Sequence, residues 1–155
     1  MYRLFALAAL LIAPFASAQT EIESARVSLA GLSELGIEVT IEKPLGASTN
    51  EALRLDAATG SLRARLIENG VPARERKQDA TLRVHVNVMR AEGGRFPFSV
   101  ELDLEQPAFV NGRLVPAITW SDSLVGLAFE ADLSVVQTAI LALADEFSAD
   151  YRAAN

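Results

Sequence analysis

Hydrophobic and polar residues alternate along two neighbouring segments in the middle of the chain. Apolar side chains occupy every even-numbered position from Leu82 to Val88 and again from Phe96 to Leu104. A period of two is typical of a strand with one buried face. The loop between the segments contains Gly93 and Gly94, so the pattern predicts a β-hairpin.

The same pattern limits how the two strands pair. Because both apolar sets are even-numbered, the numbers of facing residues must have an even sum. We predict a sum of 186, which places His85 opposite Glu101 and Arg83 opposite Asp103.

Weaker patterns flank the hairpin. Gly36–Glu42 alternates and predicts a strand, with Ile37, Val39 and Ile41 facing inward. Ser48 and Glu51 have capping-box spacing, which predicts a helix to about Asn69 in which Gly60 marks a break. Leu114–Ser121 predicts a further strand after the Asn111-Gly112 turn, followed by a loop through Gly126.

The last element is predicted to be an amphipathic helix. Ser134 and Gln137 have capping-box spacing. The apolar residues that follow recur at helical intervals and define one face that ends near Arg152: Val136, Ile140, Leu143, Phe147 and Tyr151.

This order of elements, β-α-β-β-β-α, predicts an α+β fold. One apolar sheet face and two apolar helix stripes are buried most economically with both helices on one side of the sheet. We therefore expect a two-layer sandwich of about four mainly antiparallel strands over residues 35–155, preceded by a lead-in segment at 19–34. The other sheet face, which carries Glu38, Arg83, His85 and Glu101 among others, is polar enough to meet water.

The N-terminus has the form of a secretory signal peptide. Met1-Tyr-Arg3 is followed by an apolar run from Leu4 to Ala13 and by Ala16-Ser17-Ala18. This combination predicts residues 1–18 to be removed, with Gln19 as the mature N-terminus. A run of this length is shorter than the roughly 20 apolar residues of a membrane-spanning helix. We therefore expect a periplasmic or secreted protein without a membrane anchor.

Composition excludes several chemistries. The chain has 0 cysteines, so disulfides, thiol nucleophiles, thiolate metal sites and an acylated N-terminal cysteine are all ruled out. The net charge is −6 and becomes more negative once Arg3 is removed, which disfavours binding to nucleic acid.

Few residues suggest catalysis or metal binding. His85 is the only histidine, with Glu101 as a conceivable partner, but no nucleophile motif accompanies it. A calcium site would have to use the acids of the last helix, and these lack a glycine-turned loop: Asp145, Glu146 and Asp150. The carboxylates of the hairpin are better explained as an exposed strand face: Glu101, Asp103 and Glu105. We predict no catalytic residues, no cofactor and no metal.

Binding to a protein is the leading hypothesis. The residues that favour it are Trp120 and Asp122 at a strand end. A partner strand could also be added at a sheet edge formed by the first strand or by the strand that begins at Leu114. The partner would be an envelope protein or a second copy of the chain. The alternative is a carrier of a small apolar ligand lined by phenylalanines: Phe96, Phe98, Phe109 and Phe147. A hydrolase that uses Glu101 or Asp103 is the third hypothesis.

The C-terminal third resembles an uncharacterised family of small exported bacterial proteins. The resemblance rests on Thr119-Trp120-Ser121 followed by Gly126, and on Asp145-Glu146-Phe147 followed by Asp150-Tyr151 near an asparagine-containing tail. The order of the preceding elements is similar, whereas the segment around residues 44–60 is longer here. The resemblance implies export and this fold, and it implies no activity.

Overall fold

The computed structural model describes residues 27–43, 54–75, 79–129 and 132–155. Its helices and strands follow a short helical segment at residues 27–29: β1 (Leu35–Glu42), α1 (Leu55–Glu68), β2 (Ala73–Arg74), β3 (Thr81–Val88), a 3-10 turn (Glu92–Gly94), β4 (Arg95–Val110), β5 (Arg113–Phe129) and α2 (Ser134–Ala154). The predicted signal peptide, its cleavage site at Ala18 and Gln19, and the capping box of Ser48 and Glu51 lie outside the described residues. No helix in the described ranges is long and apolar enough to cross a membrane.

The described strands form one mixed sheet in the order β2-β1-β3-β4-β5. The α+β class is confirmed, but the sheet has five strands and not about four. Strand β1 pairs in parallel with both β2 and β3, whereas β3, β4 and β5 are antiparallel. The parallel pair has a physical cause, because α1 lies between β1 and β3 in the chain and a helical crossover returns the chain in the same direction.

The predicted hairpin register is confirmed. His85 pairs with Glu101 and Arg83 pairs with Asp103 along the β3–β4 ladder. Both side chains also contact acids outside these two pairs. Arg83 contacts Glu38 on β1 at 3.3 Å and Glu105 on β4 at 2.7 Å, and His85 lies 3.8 Å from Glu42. Strand β1 lies on the other side of β3, so its carboxylates compete with those of β4.

The predicted end of the last strand, Ser121, is wrong. Strand β5 does not stop at Ser121 but runs to Phe129, and Gly126 pairs with Phe98 inside the ladder instead of forming a loop. A Cβ built at Gly126 would lie against Cζ of Phe98 and 2.7 Å from Cε1 of the same ring. Glycine is therefore present because the phenylalanine ring occupies the space of a side chain, not because the chain turns.

Both helices pack on the inner face of the sheet. The predicted apolar stripe of α2, from Val136 to Tyr151, is buried as expected. Helix α1 buries Ala58, Leu62 and Leu66, and it continues through Gly60 without the predicted break. Neither described helix start has a side-chain cap. In α2, Ser134 donates to Asp132 at 2.6 Å, so the predicted capping box is not formed.

Candidate functional site

The outer face of the sheet brings a serine, an acid and the histidine into one row. Ser123, Glu101 and His85 occupy neighbouring positions on β5, β4 and β3. A hydrolytic triad needs the histidine between the serine and the acid, and here the acid lies between the other two. The order of the row therefore does not support nucleophilic catalysis.

The remaining acids of the outer face do not converge on an ion. Glu105 is paired with Arg83, and Oδ1 of Asp103 is buried without a hydrogen-bond partner among the described residues. Within the described ranges, no group of three or more acidic, histidine or cysteine side chains could hold a metal ion.

The acids of α2 connect elements of the fold. Asp145 accepts hydrogen bonds from Nε and Nη2 of Arg65 at 2.8 and 3.0 Å and from Nδ2 of Asn69 at 2.8 Å. Asp150 accepts a hydrogen bond from Nε1 of Trp120 at 3.1 Å. Glu146 is exposed. The two aspartates therefore attach α2 to α1 and to the sheet, and the three acids do not form a calcium loop.

The Arg65–Asp145 contact makes stability depend on pH. Burial raises the pKa of Asp145, but the hydrogen bonds from Arg65 and Asn69 outweigh it and hold that pKa below its ordinary value of 3.8. A carboxyl with a lowered pKa in the folded state stabilises above its unfolded pKa, and the contribution is lost as the pH falls through the folded value.

We expect Asp145→Asn to lower the melting temperature by a few degrees at pH 7. The difference from the wild-type protein should shrink as the pH falls below 3.8. Thermal unfolding followed by circular dichroism across pH 3–7 measures this. The matched control is Glu146→Gln, which removes the same charge from an exposed neighbour. If both variants lowered the melting temperature equally at pH 7, the stabilising role of the Arg65–Asp145 contact would be contradicted.

The residues predicted to bind a partner occupy different environments. Trp120 is 5 % exposed, and its ring packs edge-on against Phe147 with centroids 5.0 Å apart. Asp122 lies half-buried on the inner face of β5, whereas Leu114 is 61 % exposed in the hairpin formed by the ends of β4 and β5. The indole of Trp120 is thus part of the core, and only Leu114 presents a large apolar surface.

The phenylalanines of the carrier hypothesis are similarly divided. Phe96, Phe98 and Phe147 belong to the buried core, whereas Phe109 is 78 % exposed. A shallow cavity of about 300 Å³ lies at the base of the same hairpin, lined by Glu105, Pro107 and Leu114 among others. It is separate from the helix–sheet interface, where the carrier hypothesis places its ligand.

Strand β5 forms one edge of the sheet, and its register shows which backbone groups face outward. The N–H of Met89 donates to the carbonyl of Pro97. The backbone N–H and C=O groups of the odd-numbered residues of β4 therefore point toward β3, and those of the even-numbered residues point toward β5. Their partners on β5, in steps of two from Trp120 to Ala128, bond back to β4. The residues between them direct their backbone groups toward the free edge: Ser121, Ser123, Val125, Leu127 and Phe129.

Parts of this edge are already protected. Pro116 has no N–H to offer. Ser28 donates from its Oγ to the carbonyl of Thr119 at 2.9 Å, so the described N-terminal segment covers the edge there. The N–H of Ser123 donates to Oδ1 of Asp122 at 2.7 Å. Such devices are typical of edges that must not pair indiscriminately.

Beyond Ser123 the edge is unprotected within the described part of the chain. We call Val125–Phe129 the open edge segment. Its outer-face side chains are all apolar and exposed: Val125 80 %, Leu127 50 % and Phe129 56 %. Leu127 pairs with Pro97, which bonds to Met89, the residue after β3, and Met89 is 58 % exposed. The segment therefore combines unpaired backbone groups with an apolar strip that extends across β4 to the end of β3, a surface suited to a partner strand.

The open edge segment was not predicted, because Gly126 favours a loop at that point of the sequence. The missed signal is present in the sequence, since Leu124 to Phe129 carries only apolar residues and glycine. An uninterrupted run of this kind also fits a buried strand, so its exposure became visible only in the fold.

No protein-family model matches the sequence, and no curated protein matches it. Among solved structures, a minor lipoprotein from Acinetobacter baumannii is 15% identical with a TM-score of 0.41, and the match covers 80% of this chain and 93% of that one. A PelC dodecamer from Paraburkholderia phytofirmans is 14% identical with a TM-score of 0.43, over 71% of this chain and 81% of that one. Rare lipoprotein B from Shewanella oneidensis is 13% identical with a TM-score of 0.38, over 78% and 95%.

Proposed function

We propose that this protein is an exported, non-enzymatic accessory protein of the cell envelope that binds another polypeptide by accepting its strand at the edge of β5. The observation that carries the proposal is the open edge segment, where outward backbone groups coincide with exposed apolar side chains. Export is supported by the signal-like residues 1–18.

Strand addition explains why outward-facing backbone groups and exposed apolar side chains occur together at this edge. Backbone hydrogen bonds supply affinity, and alternate side chains of the added strand contact one face of the sheet. Here those side chains would meet Leu127 and its neighbours, which are apolar, while the charged residues Arg83, Glu101 and Asp103 lie further along the same face. The expected partner segment is thus extended and apolar at alternate positions.

Site-specific photocrosslinking in cells that produce the full chain tests this proposal. A photoreactive residue at Leu127 is compared with one at Ile67 on α1, because each of these side chains is 50 % exposed. We expect Leu127 to give a covalent protein adduct at least tenfold more abundant than any adduct of Ile67. Comparable adducts at both positions, or none at Leu127, would refute strand addition at this edge.

A further inference from the structure

We propose that the strand accepted by the open edge segment is the same segment of a second copy, which pairs antiparallel about a two-fold axis at Leu127. This inference rests on the proposed function and names its partner. In this arrangement Leu127 faces Leu127 of the partner subunit, and Val125 of each copy faces Phe129 of the other. The two sheets become one continuous sheet.

The protected amide of Ser123 selects this register. Among the outward-facing residues, Val125, Leu127 and Phe129 lie beyond the protected position and have backbone groups that face the free edge. An axis at Gly126 would place Ser123 opposite Phe129 of the partner subunit, and an axis at Val125 would place it opposite the partner's Leu127. Either register requires an N–H that already bonds to Asp122. An axis at Leu127 uses the three unprotected residues and leaves Ser123 outside the ladder.

Both faces of the joined sheet are compatible with close approach. On the outer face, the row of Met89, Pro97 and Leu127 would continue into the same row of the second copy, so that exposed apolar surface is buried against its own kind. On the inner face, Gly126 would lie opposite Ala128 of the partner subunit, and neither residue has a side chain that obstructs the approach of the strands.

Charge and topology favour a closed dimer. The chain carries a net charge of −6, so two copies repel each other, but residues 123–129 contain no charged side chain and therefore bring no like charges opposite each other along the paired segments. The opposite edge of the sheet, β2, is two residues long. It covers only Leu35 and Gly36 of β1, so the rest of β1 has no described strand on that side, and its outer face there carries Glu38 and Glu42. A two-fold contact in which each copy uses the same uncharged β5 segment closes at two subunits.

Cysteine crosslinking tests both the partner and the register, because the chain has 0 native cysteines. Leu127→Cys is expected to form an intermolecular disulfide, since facing residues lie within the roughly 4.4–6.8 Å Cα separation that a disulfide needs. Val125→Cys alone should not, because two such residues would be about 13 Å apart along the ladder. A mixture of Val125→Cys and Phe129→Cys chains should crosslink, and Ile67→Cys is the exposed control.

Under mild oxidation, we expect a disulfide-linked dimer from Leu127→Cys and from the mixture of Val125→Cys and Phe129→Cys chains. The yield of linked dimer from Ile67→Cys, and from Val125→Cys alone, should be at least tenfold lower. Sedimentation of the unmodified chain should show a doubling of mass with rising concentration, which Leu127→Lys abolishes while the circular dichroism spectrum stays unchanged. Dimers of Val125→Cys alone would overturn the register.

The same experiments separate this inference from the proposed function. A monomer at all concentrations, together with a photocrosslink from Leu127 to a different protein, would overturn the second copy as partner and leave strand addition standing. A monomer that gives no adduct at Leu127 would overturn both.

Discussion

Replacing Trp120 with alanine is expected to lower the free energy of unfolding by about 3–5 kcal/mol, the range for deleting a buried aromatic side chain. The indole is 5 % exposed and packs edge-on against Phe147, which is fully buried. The substitution also removes the hydrogen bond to Asp150. Since domains of this size are stable by about 5–15 kcal/mol, Trp120→Ala should bring the protein close to unfolding at 37 °C.

Urea unfolding followed by circular dichroism measures this loss without relying on tryptophan fluorescence. Trp120→Phe keeps an aromatic ring against Phe147 and should cost less. Phe109→Ala removes a ring that is 78 % exposed and should change stability by no more than about 0.5 kcal/mol. If Trp120→Ala left stability unchanged and abolished the Leu127 photocrosslink, the indole would be a binding residue and its assignment to the core would be wrong.

Gly126→Ala is expected to destabilise the protein by about 1–3 kcal/mol, the usual cost of inserting a methyl group into a packed core. The added Cβ would overlap the ring of Phe98, which is 5 % exposed and confined by the core. The lower conformational entropy of alanine in the unfolded chain returns only about 0.4–1 kcal/mol. Urea unfolding of the variant measures the net effect.

Two further variants identify the cause. Gly60→Ala changes a helical glycine with nothing within 4 Å of its added Cβ, so it should stabilise the protein by about 0.5–1 kcal/mol. Phe98→Leu, made together with Gly126→Ala, should recover part of the loss, which a double-mutant cycle quantifies. If the cycle shows no coupling energy between positions 98 and 126, contact with the Phe98 ring is not the reason for glycine at position 126.

The hairpin shows how far local pattern extends. Alternation along β3 and β4 determined which side chains face inward, and the parity of those positions limited the register to even sums. Among these, the predicted register with His85 opposite Glu101 is the one observed. The stripe of α2 was predictable for a similar reason, because its apolar residues between Val136 and Tyr151 recur at the helical period. In both elements one face is buried, so the sequence carries a strong periodic signal.

Other features depended on which elements become neighbours. The parallel pairing of β1 with β3 placed Glu38 and Glu42 beside Arg83 and His85, so the ion pairs differ from those that the hairpin alone suggests. The packing of α2 against the sheet buried Trp120, whose place at a predicted strand end had suggested a binding residue.

For the open edge segment, too, some properties follow from the sequence and others only from the fold. The sequence by itself determined that Val125, Leu127 and Phe129 are apolar and that the chain holds 0 cysteines. Only the tertiary structure decided that these three residues lie at the sheet edge with outward backbone groups, and that the Phe98 ring fills the space at Gly126. The physical reason is that periodicity reports which face of a strand is buried, whereas the neighbour of each strand is set by contacts between residues far apart in the chain.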